Sequence, residues 1–405
     1  MKTISKRSRR FVCIVMLGLL ASGYGYQALH RTLPALEPVV AQTNLKSHTP
    51  SGKLAWPGYG SAAVGLLDGD ILVTNGTQKA VPIASTAKVL TALSVLAKKP
   101  LAPGQQGPTI TLGDADVAIY NQYVANDGSV LAINSGEQIS EYQMLEALML
   151  PSANNLADSL AIWAFGSLKD YRSFATNYAR QLGLTDTHLG SDASGMAADS
   201  TSTAHDLVLI GKAAIRNPLL ANIVGLPSTA DIPGAGTVKN VNFLLGTNGI
   251  VGIKTGNTDQ AGGVFLSASN TMVDKKPITI VTAVLGAPTL WRALNDSVPL
   301  IRSAQTNFSA NTLVPANNVV GRYALPWGGS VAAVTKTATT VTAWNGSTIP
   351  VTIRLQPIPY TSHTGQLAGN ITARQSLFSA AVTNPIVLAE NPTSPSVWWR
   401  LRHPF

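Results

Sequence analysis

Cysteine is almost missing from this chain of 405 residues. The single one, Cys13, lies in an apolar run near the N-terminus. Everything after it is closed to disulfides and to thiolate zinc sites. Charge is also scarce: Asp, Glu, Lys and Arg make up 12% of the residues, against about 25% in an ordinary domain. That excludes a disordered, charge-driven chain, and 35 glycines with 24 prolines are too few for low complexity. The net charge of +9 is local, since Lys2, Lys6, Arg7, Arg9, Arg10 and Arg31 precede any acid. The remainder is close to neutral and offers no basic face, so no nucleic acid is expected as a partner. No glycine-rich nucleotide fingerprint follows a strand pattern, and no repeat of solenoid period occurs. What is present is 45% hydrophobic residues over a length that suits two or three domains with a sizeable core.

The basic cluster Lys6–Arg10 precedes a nearly uncharged run from Phe11 to about Leu29. This is the layout of an export signal, with the positive end held in the cytoplasm. Ala21-Ser22-Gly23 supplies small residues for cleavage, yet the run would reach about 28 Å as a helix, nearly a bilayer core. Residues 1–31 are therefore a signal peptide or a retained membrane anchor. The chain is expected to be exported, to the outer face of the cytoplasmic membrane or to the cell wall or periplasm.

Residues 32–57 are mixed and aperiodic and read as a tether. Beyond them, Ser61–Leu67 and Ile71–Thr74 flank Asp68-Gly69-Asp70 as a hairpin. Ala87–Ala97 is helical in composition and apolar nearly all round, which predicts a buried helix. A second helix starts at Ser140, with Gln143 completing a capping box, breaks at Pro151 and resumes near Asn155 as far as about Phe165. Gly249–Thr255, Gly263–Ala268 and Ile278–Leu285 read as successive antiparallel strands. Helices and strands mix without a βαβ rhythm, so the fold class is α+β, with an antiparallel sheet flanked by helices over residues 58–311. Val319–Leu325, Ser330–Thr335, Thr339–Ala343 and Ile349–Leu355 predict a small all-β, sandwich-like domain over 312–390. The aromatic and basic tail, 391–405, suits either packing onto a domain or a membrane surface.

The chemistry starts at Lys88, a lysine near the start of an otherwise apolar helix, where burial needs a reason. Ser85 stands three residues earlier, on the same helix face. Crowding and desolvation lower a lysine pKa and leave a neutral amine able to take the serine proton. Ser152-Ala153-Asn154 falls at the break between two helices, where a loop can aim a hydroxyl and an amide into a cleft. Lys254-Thr255-Gly256 closes a strand, its glycine allowing close backbone approach. A second Ser-Ala-Asn at Ser309 follows rather than precedes the Lys-Thr-Gly and carries no weight.

The ordered set Ser-x-x-Lys, Ser-x-Asn, Lys-Thr-Gly resembles that of the serine penicillin-binding protein and β-lactamase superfamily. Within it the chain is similar to the low-molecular-mass D-alanyl-D-alanine carboxypeptidases, serine peptidase family S11. Pro82–Lys88, Ser140–Ala157, Asp192–Gly195 and Ser202–Asp206 carry the likeness, and the β domain with its Trp-Trp-Arg-Leu ending extends it to about residues 58–405. The resemblance implies that Ser85 attacks the carbonyl between two D-alanines of a peptidoglycan stem peptide, with Lys88 as base. Ser152 and Asn154 relay protons and hold the substrate amide. Lys254 binds the terminal carboxylate, with Thr255, Gly256 and Asn257 lining the strand edge. The N–H groups of Ser85 and Asn257 form the oxyanion hole. It also implies covalent inhibition by β-lactam antibiotics and no cofactor or metal. The chain differs from many relatives at Asn155, where they carry Asp.

A class A β-lactamase uses a glutamate-activated water, and no glutamate occurs between Glu146 and Glu390. A Ser-His-Asp hydrolase would need a Gly-x-Ser-x-Gly elbow to accompany His188 or His205, and the chain has none. A cross-link DD-endopeptidase, or a non-catalytic wall-binding protein on the same scaffold, remains as the alternative reading.

Overall fold

A computed structural model describes residues 6–40, 42–374 and 381–403. The N-terminal Lys2, positions 375–380 of the predicted β domain and the last two residues of the tail lie outside the described residues. The chain divides into two compact units: one made of Met1–Ser51 with Ser309–Phe405, the other of Gly52–Phe308.

The first unit begins with helix α1, Lys6–His30. Its segment Arg10–His30 is long and apolar enough to cross a membrane, and little of it is buried. Strand β1, Gln42–His48, follows. This departs from the tether expected over 32–57, because β1 joins a sheet formed by residues some 300 positions later.

The second unit opens with the predicted hairpin, β2 at Ser61–Leu66 and β3 at Leu72–Asn75. Helices α2 (Ala87–Lys98), α3 (Asp114–Ala125), α4 (Glu141–Met149), α5 (Asn154–Phe165), α6 (Leu168–Gln181), α7 (Ala204–Arg216) and α8 (Pro218–Val224) come next. Strands β4 (Ile250–Thr258), β5 (Gly262–Val273) and β6 (Lys276–Ala287) and helix α9 (Leu290–Gln305) complete it. The sheet is antiparallel in the order β3-β2-β6-β5-β4.

Alternation in β5 explains the layering. Val264, Leu266 and Ala268 join the main core with α2 and α7, while Phe265 faces the opposite way into a cluster with Ala293 and Leu294 of α9. Helix α2 is buried over Ala87–Leu96, as its all-round apolar pattern predicts. The Ser140 hydroxyl accepts from Gln143 N and the Gln143 side chain accepts from Ser140 N, which starts α4 where the capping box places it.

In the first unit, β7 (Phe308–Val314) pairs with β10 (Thr339–Trp344). Strands β8 (Val319–Ala324), β9 (Ser330–Thr335), β11 (Thr348–Leu355), β12 (Leu367–Arg374) and β13 (Ala381–Leu388) form with β1 a sheet ordered β1-β11-β12-β13-β9-β8. Ile349, Val351, Ile353 and Leu355 alternate inward along β11. The hydroxyl of buried Tyr323 shares its one proton between the carbonyls of Gln356 and Ala368, at 2.7 and 2.9 Å.

The tail forms a short helix, α10, Val397–Arg402. Trp399 packs edge-on against Trp327, with centroids 5.5 Å apart, and Arg31 lies over its ring. Arg400 donates to the Leu29 carbonyl and Tyr24 to that of Leu401, so α10 is tied to the end of α1. Trp398 and Val397 point outward, 72% and 58% exposed.

Candidate active site

A 3-10 turn, Ala84–Thr86, delivers Ser85 to the start of α2. Ala84 has a φ of 47°, a left-handed conformation unfavourable for alanine. The turn is held from both sides. Ile83 N donates to Ser200 O, and the Thr86 hydroxyl donates to Ile83 O at 2.6 Å. Gly256 of β4 packs against it: a Cβ there would lie 3.0 Å from Ile83 O and 3.2 Å from Ser85 N. The glycine of Lys-Thr-Gly thus brings the strand edge onto the segment that carries Ser85.

Lys88 is fully buried one turn along α2. Its Nζ lies 2.9 Å from Ser85 Oγ and donates to Asn154 Oδ1 at 2.6 Å and to the Ser194 carbonyl at 2.9 Å. The last two partners are pure acceptors. A neutral amine has two hydrogens and one lone pair, so the two carbonyl oxygens take the hydrogens and the lone pair is left facing Ser85. Burial pushes the Lys88 pKa down to about 7, while Asp192 and Asp158 pull in the opposite direction. The neutral amine is accessible near physiological pH.

Ser152 and Asn154 occupy the turn between α4 and α5, 6% and 4% exposed. Ser152 has a φ of 70°, a second left-handed non-glycine residue at the site. Asn154 N donates to Ser129 O at 2.7 Å, fixing the turn against the loop after α3. A Cβ on Gly128 would come within 2.9 Å of Asn154 Nδ2 and press on that side chain. Lys254 on β4 is 1% exposed, and its Nζ donates to Thr255 O at 3.1 Å. Burial and then the nearby Lys88 depress its pKa strongly. Thr255 is buried and Asn257 lies exposed at the strand edge. The structure therefore joins Ser85, Lys88 and Asn154 by direct bonds and sets β4 against the Ser85 turn.

Sequence reasoning missed the support behind Lys88. Asp192 accepts from the N–H groups of Ser194, Gly195 and Ala197, which folds residues 192–197 into a tight loop. Gly195 has φ 75°, and a Cβ there would fall 2.2 Å from Ala84 O. Asp158, on α5, accepts from Ala193 N and from the Tyr123 hydroxyl, both at 2.8 Å. The signal available was an acid in an apolar helix, four residues after Asn154. Neither histidine joins the site. His205 bonds Asp206, whose other oxygen takes Asp186 N and Thr187 Oγ1, and His188 pairs through its backbone with Thr201. Among the described residues no group of His, Cys, Asp and Glu is arranged to hold a metal ion.

The chain is similar in sequence and in fold to known proteins. A family model described as D-alanyl-D-alanine carboxypeptidase matches residues 62–289. The D-alanyl-D-alanine carboxypeptidase DacB2 of Mycobacterium tuberculosis is 31% identical over 231 residues, covering 55% of this chain and 75% of that protein. The D-alanyl-D-alanine carboxypeptidase DacA of Escherichia coli is 28% identical over 210 residues, 51% of this chain and 50% of that one. In fold, penicillin-binding protein 5 from Haemophilus influenzae superposes with a TM-score of 0.57 at 18% identity, over 84% of this chain and 98% of that one.

Proposed function

Since the chain belongs to the D-alanyl-D-alanine carboxypeptidase family of serine peptidases, we propose that it trims the terminal D-alanine from peptidoglycan stem peptides through a Ser85 acyl-enzyme. Ser85 Oγ bonds the carbonyl carbon between the two D-alanines as its proton passes to the Lys88 lone pair. The oxyanion is received by the N–H groups of Ser85 and Asn257. The C–N bond then breaks, the leaving amine takes a proton from Lys88 through Ser152, and D-alanine departs. Water hydrolyses the ester in the second half-reaction.

Asn154 holds Lys88 and the substrate amide. Lys254 pairs with the terminal carboxylate, which restores the charge that burial disfavours, while Thr255 and Gly256 align the peptide along β4. A β-lactam, as a mimic of that peptide ending, acylates the same serine. The observation that carries this reading is the three-way contact of Lys88, which leaves its lone pair on Ser85. The same proposal places the enzyme on the outer side of the cytoplasmic membrane, with α1 as its tie to the bilayer; the length of α1 and its junction with α10 support a retained helix.

The test is release of D-alanine from a peptide ending in D-Ala-D-Ala, beside a Ser85→Ala variant and a penicillin-treated sample. Release that vanishes in both controls supports the proposal. A folded protein that releases none, but cleaves cross-linked dimers, is an endopeptidase. One that does neither is a wall-binding scaffold.

A further inference from the structure

Lys88 touches no carboxylate, yet two acids stand behind the carbonyl it uses. Asp192 has both oxygens engaged by loop N–H groups, so its part is to shape residues 192–197. Asp158 is placed differently. One oxygen holds Ala193 N, next to the Ser194 carbonyl that accepts from Lys88, and the other holds the Tyr123 hydroxyl. With the one Tyr123 proton on Asp158, the Ser194 hydroxyl donates to the Tyr123 oxygen, and Ser194 Oγ accepts from Met196 N. Elements far apart in sequence, α3 and α5, thus meet on one short loop behind the general base.

We propose that Asp158, with Tyr123, is a positioning residue that fixes the Ser194 carbonyl on Lys88 and sets, through its charge, the pH at which Lys88 becomes a competent base. This rests on the reading of Lys88 as the base for Ser85. The titratable and charged groups facing Asp158 are Tyr123 from α3, Lys88 from α2, Tyr171 from α6 and Asp192 from the loop. Burial raises the Asp158 pKa to about 6, so it titrates just below the base it influences.

Two consequences follow from the geometry. An ionised Asp158 favours the Lys88 ammonium and so holds the acidic limb of activity at higher pH. As pH falls, Asp158 takes its own proton, that influence fades, and the limb becomes broader than a single ionisation. A cavity of about 440 Å³ reaches Asp158 between Tyr123, Asp192 and Met196. Its lining includes none of Ser85, Lys88, Asn154 and Lys254.

The experiment measures the rate of acylation by a fluorescent penicillin from pH 4.5 to 9 (roughly the span of both ionisations) for the wild type, Asp158→Asn and Tyr123→Phe, with thermal denaturation as the check on folding. Asp158→Asn should move the acidic limb down by about one pH unit and sharpen it to one proton. Tyr123→Phe, which removes a hydrogen bond from the Asp158 carboxylate, should move it the same way by less. A uniform fall in rate with the limb unmoved in both variants means that Asp158 only supports the loop, and overturns the proposal. If Asp158→Asn does not fold, an unmoved limb in Tyr123→Phe overturns it alone. A wild type that takes no label removes the underlying reading instead.

Discussion

Asn155 grips Leu131 by both of its backbone polar groups: Asn155 Oδ1 accepts from Leu131 N at 3.2 Å and Nδ2 donates to Leu131 O at 2.9 Å. A primary amide offers a donor and an acceptor together, whereas an ionised carboxylate only accepts. Residues 129–131 form the wall against which Asn154 is set, so the amide at 155 supports the site without touching it.

Asn155→Asp should therefore destabilise this chain. The carboxylate cannot donate to Leu131 O, and position 155 is fully buried. We expect a loss of about 1–3 kcal/mol at pH 7. The introduced carboxyl would have a raised pKa in the fold, so the loss should shrink as pH falls and the group becomes a protonated donor. Urea denaturation at pH 5 and pH 7 measures both; equal stability to wild type at pH 7 would contradict the clamp.

Ser85→Ala and Lys88→Met should each cut acylation by at least about a thousandfold, and the double variant should be little worse, because the two groups act as one unit. Stopped labelling with a fluorescent penicillin reads this out. Independent, multiplying losses would show that Lys88 does something other than receive the Ser85 proton.

Lys254→Ala should act on substrate binding. For a peptide ending in a free carboxylate, kcat/KM should fall roughly 100-fold, about 2.7 kcal/mol. For the corresponding C-terminal amide, which has no charge to pair, the variant and the wild type should differ little. Equal losses on acid and amide would reassign Lys254.

Gly195→Ala places a Cβ against a backbone carbonyl at a left-handed φ. Neither can be relieved by rotating a side chain, so the loop must move off Ala84, and the Ser194 carbonyl with it. A destabilisation of about 1–3 kcal/mol is expected, together with slower acylation of Ser85. Calorimetry beside labelling checks the pair; unchanged labelling would mean that the loop position is unimportant.

Much of the candidate site was readable because side chains carry it: Ser85, Lys88, Asn154 and Lys254 announce themselves as polar groups in apolar settings. The Ser194 carbonyl is backbone, and no residue type signals it. Tyr123 and Asp158 meet across 35 positions, a separation that single-sequence patterns do not register. In the fold, the hairpin, the buried helix and the capping box were legible from local chemistry. Strand β1 was not, since an edge strand exposed along most of its length shows no alternation, and Leu45 is 47% exposed. Strands β12 and β13 were hidden by Gly369 and Pro385, which interrupt the apolar runs that mark a strand.

Strand β1 also fixes an order of events during biosynthesis. His48 lies opposite Thr348, 300 residues later, and the whole of Gly52–Phe308 is made in between. At about 5–20 residues per second the ribosome needs roughly 15–60 s to cover that distance. The peptidase unit can fold in that interval, while β1 waits as an unpaired ribbon for its neighbour to be synthesised. The segment made among the first is among the last to be built into the fold.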